Sequence, residues 1–258
     1  MIFNFIFIVI SWIARVILYI LGWSPVGMTK ERLSIFNENF KGVFVISHTS
    51  YLDGLIFVLY RIGYSDIFGR STIVIKPQIF EMVPVILHPI LKAFGFVKST
   101  KIENTGEGFV NTTVNTLSEK ETYLFFISPK GARYPMPWRS GYYNIAKLLN
   151  VPIVVCGFDY IEKIPKFFDP IYPDYENESR EEIEKILKEK MGEIIPLHPE
   201  RSEVELKSYN KELISIYESY SVFIFLSIMI FIIILWWKYN INPIHPIKKV
   251  YSFVRSFI

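Results

Sequence analysis

A single cysteine, Cys156, in 258 residues excludes a disulfide scaffold. There is no Cys-x-x-Cys pair and no Gly-Lys-Ser run, and the four histidines (48, 88, 198 and 245) fall in no metal-ligand spacing, so no metal and no cofactor is expected. A Gly-x-Ser-x-Gly nucleophile elbow is also missing, which argues against a serine hydrolase. Acidic residues are absent from both ends. Residues 1–23 carry only Arg15, and residues 238–258 carry Lys238, Lys248, Lys249 and Arg255. Residues 219–237 carry no charge at all.

What is present follows from that division. The net charge of +3 splits into basic ends and a middle, 24–218, with 23 basic and 25 acidic residues. No basic stripe lies on the domain itself, which excludes a nucleic-acid footprint. The chain is 51% hydrophobic, with 22 Phe and 16 Tyr, a composition that builds a core rather than a disordered chain. Residues 219–237 (SYSVFIFLSIMIFIIILWW) are 19 uncharged residues, about the length that crosses a hydrocarbon core of roughly 30 Å. Trp236, Trp237 and Lys238 suit an interfacial anchor at its end, so a transmembrane helix is expected there, followed by a basic tail over 238–258.

Residues 1–23 lack the cationic start and the small-residue cleavage site of a signal peptide. They read as a retained, membrane-associated helix, with Arg15 snorkelling and Trp12, Tyr19 and Trp23 at headgroup depth. With a cytosolic domain and a spanning 219–237, the basic tail would fall outside, against the positive-inside tendency. The alternatives are a re-entrant segment or an interfacial tail on the same side. Asn111 and Asn177 sit in glycosylation sequons, so absence of glycans in a secretory host would support a cytosolic domain.

Between the ends, short apolar runs alternate with helical patterns. Strands are expected at 43–47, 73–75, 95–97, 123–127 (YLFFI, the clearest) and 151–156. Helices are expected at 51–62, 80–94 (broken by Pro84 and Pro89), 103–120, 142–149 and 178–191. This alternation predicts an α/β fold, a mixed sheet flanked by helices, over 24–218. Ligand chemistry in such folds gathers where strands end.

Three polar clusters sit at those ends. The first is His48-Thr-Ser-Tyr-Leu-Asp53, where a turn can bring histidine and aspartate together. An aspartate on one ring nitrogen fixes the tautomer and leaves the other nitrogen as a general base. The plain alternative is an Asp53 or Ser50 that caps the following helix beside an unrelated histidine. The second is Ser128-Pro-Lys-Gly-Ala-Arg133, a glycine turn with two cations, suited to an anion or to an ordinary solvated loop. The third runs Gly95-Phe-Val-Lys-Ser-Thr-Lys101, with Lys98 and Lys101 after a strand end and Lys76 nearby.

Taken in chain order, the clusters resemble the glycerophospholipid acyltransferase family, which includes the 1-acylglycerol-3-phosphate acyltransferases. His48 and Asp53 match its His-x4-Asp block. Gly95 to Lys101 is similar to its Gly-Gly-Ile-Pro-Val-Asp-Arg-type block, with Lys101 at the phosphate-binding arginine. Pro129-Lys-Gly-Ala-Arg133 resembles Pro-Glu-Gly-Thr-Arg, and Val151-Pro-Ile-Val-Val155 the closing Val-Pro-Ile-Val-Pro. The resemblance spans about residues 40–160. Lys130 departs from the family glutamate and reverses its charge; Ala132 stands for threonine and Lys101 for arginine.

The resemblance implies transfer of a fatty acyl group from acyl-CoA or acyl-carrier protein to the hydroxyl of a lysophospholipid. In that reaction His48 is the base and Asp53 its orienting partner. Lys101, Lys130, Gly131 and Arg133 hold the acceptor phosphate, and the Gly131 N–H is a candidate oxyanion donor. Membrane lipids and the acyl donor are then the partners, and the catalytic domain faces the cytosol. The competing reading, motivated by Lys130, is a non-catalytic or weakened relative that binds lipid or scaffolds a partner.

Overall fold

A computed structural model describes residues 2–28, 34–64, 71–75, 96–98 and 106–214. The expected helix at 80–94, Lys76, Lys101, the span at 219–237 and the tail at 238–258 lie outside the described residues.

The centre is a six-stranded sheet: β1 (Lys41–Ile46), β2 (Ser71–Ile75), β3 (Phe96–Lys98), β4 (Tyr123–Ile127), β5 (Ile153–Asp159) and β6 (Ile164–Phe167). The spatial order is β3-β2-β4-β1-β5-β6. The first five strands are parallel, and β6 closes the edge antiparallel to β5. β1 lies in the middle, with Val43 opposite Phe125 of β4 on one side and Ile153 of β5 on the other. Strands buried on both faces read as continuous apolar runs, and KGVFVI, YLFFI and IVVCGFD have that character.

Alternation along the strands divides the core between two faces. Phe44, Ile46, Leu124, Phe126, Val154 and Cys156 point to one face. There they meet Ala14 and Leu18 of α1 (Ile2–Ile20) and Ile56, Phe57 and Tyr60 of α2 (Tyr51–Gly63). Val43, Val45, Phe125, Ile153 and Val155 point to the other. They pack on Val110 and Leu117 of α3 (Gly106–Ser118), Ile145 of α4 (Gly141–Leu149) and Ile183 and Leu187 of α5 (Arg180–Met191). Each Val, Leu, Ile or Phe among them contributes about 1.5–3 kcal/mol by leaving water. The result is a sheet between two helical layers, as the alternation predicts.

Three features differ from expectation. β6 is absent from the sequence reading because it is four residues long and contains Pro165, a residue sheets accept at an edge. β5 runs three residues past Cys156 to Asp159, which is buried and accepts hydrogen bonds from Lys166 Nζ (2.7 Å) and the Ile195 N–H (3.2 Å). The third is α1, which is joined to the domain rather than set apart from it. The side chains of Arg15 and Ser11 both donate to the Gly63 carbonyl at the end of α2. The Arg15 guanidinium also lies 4.9 Å from the Tyr64 ring centroid, so it is tied to α2 rather than extended toward headgroups.

Trp23 is a related correction. Gly22 adopts φ +78°, its N–H bonds Tyr19 C=O (2.9 Å), and the Trp23 N–H reaches back to Leu18 C=O (2.8 Å). This Schellman ending turns the chain inward. The Trp23 indole is thereby buried against Tyr60, Phe158 and Tyr160 rather than held at an interface. Trp12 and Tyr19 are exposed, with Ile8, Ile13 and Ile20, on the apolar outer face of α1. Among the described residues, no helix is long and apolar enough to cross a membrane.

Candidate active site

Because β1 and β4 are adjacent and parallel, with Val45 opposite Ile127, the loops that follow them open at the same edge of the sheet. This brings the His48 loop beside the Ser128–Arg133 turn. β5, on the other flank of β1, delivers Tyr160 to the same end.

Ser50 N-caps α2, with its Oγ accepting from the Leu52 N–H, and Asp53 completes the capping box by accepting from the Ser50 N–H at 2.9 Å. The same Asp53 Oδ2 accepts from the Thr49 N–H at 2.9 Å and lies 3.1 Å from His48 Nδ1. The cap and the dyad are therefore one arrangement, not alternatives. A carboxylate oxygen only accepts, so Nδ1 carries the hydrogen and Nε2 is left as the basic nitrogen. His48 is half-buried, and Asp53 is buried.

The other carboxylate oxygen, Oδ1, accepts from the Tyr160 hydroxyl at 2.8 Å. Burial, and next the Asp53 charge, push the Tyr160 phenol well above its ordinary value, so it stays a donor. No motif points to Tyr160, since its contact with Asp53 spans 107 residues of sequence and depends on the order of the strands.

Of the expected phosphate ligands, Arg133 is placed at the site. Its Nη2 donates to the Tyr51 hydroxyl at 2.8 Å, and its guanidinium stacks 3.5 Å from the Tyr51 ring centroid. Tyr51 opens α2, directly after the His48 loop. Gly131 has φ +61° and its N–H donates to Ser128 C=O at 3.0 Å. That amide closes the turn, so its assignment as oxyanion donor is corrected. Glycine adopts that left-handed backbone without the steric cost of a Cβ.

Lys130 is corrected too. It is 2% exposed and points into the fold, where Nζ donates to Arg201 C=O at 2.7 Å and pairs with Glu203 Oε2 at 2.9 Å. A strand-end position shows that a cation is near the site but not which way it turns. Lys101 lies outside the described residues. Two further cations approach the turn. The Arg139 guanidinium borders Gly131, while its N–H donates to Pro129 C=O at 3.0 Å. Arg201 Nη1 donates to Thr49 C=O at 3.4 Å.

The geometry supplies an oriented imidazole base with a guanidinium close by. No three His, Cys, Asp or Glu side chains gather as a metal site among the described residues. A protein-family model described as acyltransferase matches residues 28–159, which include β1 to β5, the His48 loop and the turn at 128–133. No curated protein matches the chain.

Proposed function

Since the chain belongs to the acyltransferase family, that of the glycerophospholipid acyltransferases, we propose that it moves a fatty acyl group from a thioester, acyl-CoA or acyl-carrier protein, to the hydroxyl of a lysophospholipid such as 1-acylglycerol-3-phosphate. The observation that carries this reading is His48 Nδ1 held 3.1 Å from Asp53, with Nε2 left basic, and the Arg133 guanidinium held on Tyr51, three residues along the same loop and helix start.

In this mechanism His48 Nε2 takes the proton of the acceptor hydroxyl as its oxygen attacks the thioester carbonyl. Asp53 stabilises the resulting imidazolium without itself taking the proton. The tetrahedral intermediate collapses, the new ester forms, the C–S bond breaks, and the proton on Nε2 passes to the departing thiolate. No acyl-enzyme is needed, because the substrate hydroxyl is the nucleophile. Arg133 offers a planar fork to the acceptor phosphate.

What favours an active enzyme over a non-catalytic lipid-binding relative is the completeness of the dyad and its support from Tyr160. The charge of Lys130, which motivates the non-catalytic reading, is matched inside the fold by Glu203. The exposed apolar face of α1, with Ile8, Trp12, Ile13 and Ile20, supports a place against a membrane, where the acceptor resides. We place the domain on the cytosolic face, from which acyl-CoA is drawn.

The experiment is an assay of the purified full-length protein in detergent, with labelled acyl-CoA and a panel of lysophospholipids. Wild type transfers label, and His48→Ala, correctly folded, does not; equal rates in the two would remove the mechanism.

A further inference from the structure

The chain returns to the site after the family match has ended at residue 159. The segment 198–204 is attached to both catalytic loops. The His198 N–H donates to Thr49 Oγ1 at 3.3 Å, and Arg201 Nη1 donates to Thr49 C=O at 3.4 Å, one residue from His48. On the other side, Lys130 Nζ donates to Arg201 C=O and pairs with Glu203, whose Oε1 accepts from the Trp138 indole N–H.

This attachment sets the position of the Arg201 side chain. Its guanidinium lies 5.7 Å from the centroid of the Tyr134 ring, and that of Arg133 lies 5.5 Å from the same centroid. Two cations thus share one aromatic ring at the edge where His48 sits. The two guanidinium groups are therefore no farther apart than the sum of those distances, and an anion bound at this edge would meet both charges. Arg201 has an acidic neighbour in Glu200 at 3.4 Å, but Glu200 is 62% exposed, so that pair is screened by water.

We infer that Arg201 is a second guanidinium for the acceptor phosphate, acting with Arg133, and that the buried Lys130–Glu203 pair is the device that positions it. The inference rests on the proposed acceptor class and adds a residue from beyond the matched region. A phosphate presents three strong acceptor oxygens, more than one fork satisfies, and two guanidinium groups bind it with more directionality than a lone ammonium. It also assigns a role to the reversed charge at residue 130. Lys130 meets Glu203 so that the segment bearing Arg201 is clamped to the turn bearing Arg133. Lys130 and Glu203 are positioning residues, and Arg201 is the one that touches the acceptor.

The test measures equilibrium binding, by the full-length protein in detergent micelles, of 1-oleoylglycerol-3-phosphate and of 1-oleoylglycerol, which lacks the phosphate. Arg201→Ala should weaken binding of the phosphate-bearing lipid about ten-fold or more, as loss of a charge-assisted hydrogen bond does, and leave the neutral lipid unaffected. Arg201→Lys should fall between. For the positioning pair, Lys130→Glu should lose the phosphate preference, and Lys130→Glu with Glu203→Lys should regain it. Unchanged binding in Arg201→Ala, equal loss for both lipids, or a wild type indifferent to the phosphate overturns the inference. Because the readout is binding, it is separable from the proposed activity. Absent turnover with the Arg201-dependent preference intact would remove the activity and uphold the inference. Turnover with an Arg201-independent affinity would do the reverse.

Discussion

The Tyr160 hydroxyl donates to Asp53 Oδ1 at 2.8 Å, while the opposite carboxylate oxygen holds His48 and two backbone N–H groups. The histidine's partner is therefore gripped from both sides, by its own loop and by the end of β5. Tyr160→Phe keeps the ring and removes only the donor, leaving a buried carboxylate oxygen without its partner. It should cost about 1–3 kcal/mol of stability. A looser Asp53 should also lower kcat, with the acceptor KM little changed. Thermal unfolding and steady-state kinetics on the same preparation check both; an unaltered kcat would mean that Tyr160 supports the fold alone.

Asp53→Asn tests the charge behind the histidine. The amide can still accept from the Thr49 and Ser50 N–H groups, so the cap of α2 is largely kept. With its oxygen in the place of Oδ2 it still accepts from Nδ1–H, but it no longer provides the charge that stabilises an imidazolium. Turnover should fall by about two to four orders of magnitude, the range that general-base catalysis contributes. A melting temperature close to wild type would locate the loss in chemistry rather than folding.

The Lys130–Glu203 pair makes a prediction that reverses the simple expectation from the family pattern. Restoring the family residue with Lys130→Glu sets two carboxylates against each other, with the Lys130 and Glu203 side chains only 3% and 14% exposed. The single variant should be less stable than wild type by about 3–5 kcal/mol, as when one member of a buried pair is lost. Adding Glu203→Lys should recover most of that. A Lys130→Glu variant as stable as wild type would show that the pair does not form in solution.

Much of this architecture is legible in the sequence, for a physical reason. β1, β4 and β5 are buried on both faces, so their apolar runs carry the signal without a partner being known. His48 and Asp53 are legible because one turn and one helix cap, both local, bring them together. Tyr160 and Arg201 are not, since they meet Asp53 and Thr49 across 107 and 152 residues, and only the strand order and the return of 198–204 create those contacts. Lys130 lies between these cases. Its place at a strand end is local information, but its direction is set by Glu203, far along the chain. Trp23 likewise looks interfacial by composition, and the left-handed Gly22 that turns it inward is a backbone property.

Trp23 and Trp12 separate the two roles of α1, and a pair of substitutions distinguishes them. Trp23 is 3% exposed and packs edge-on against Tyr160, with centroids 5.1 Å apart; Trp12 is 65% exposed on the outer face. Trp23→Ala removes a large core side chain and should destabilise the protein by about 3–5 kcal/mol. It should also lower acyl transfer, because the cavity frees the ring whose hydroxyl holds Asp53. Trp12→Ala should leave the unfolding free energy in detergent within about 0.5 kcal/mol of wild type. Its effect belongs at the lipid: transfer to acceptor presented in bilayer vesicles should drop relative to acceptor in detergent micelles, while Trp23→Ala lowers both. Equal behaviour of the two variants would mean that the outer face of α1 plays no part in reaching the membrane, and that the helix serves the core alone.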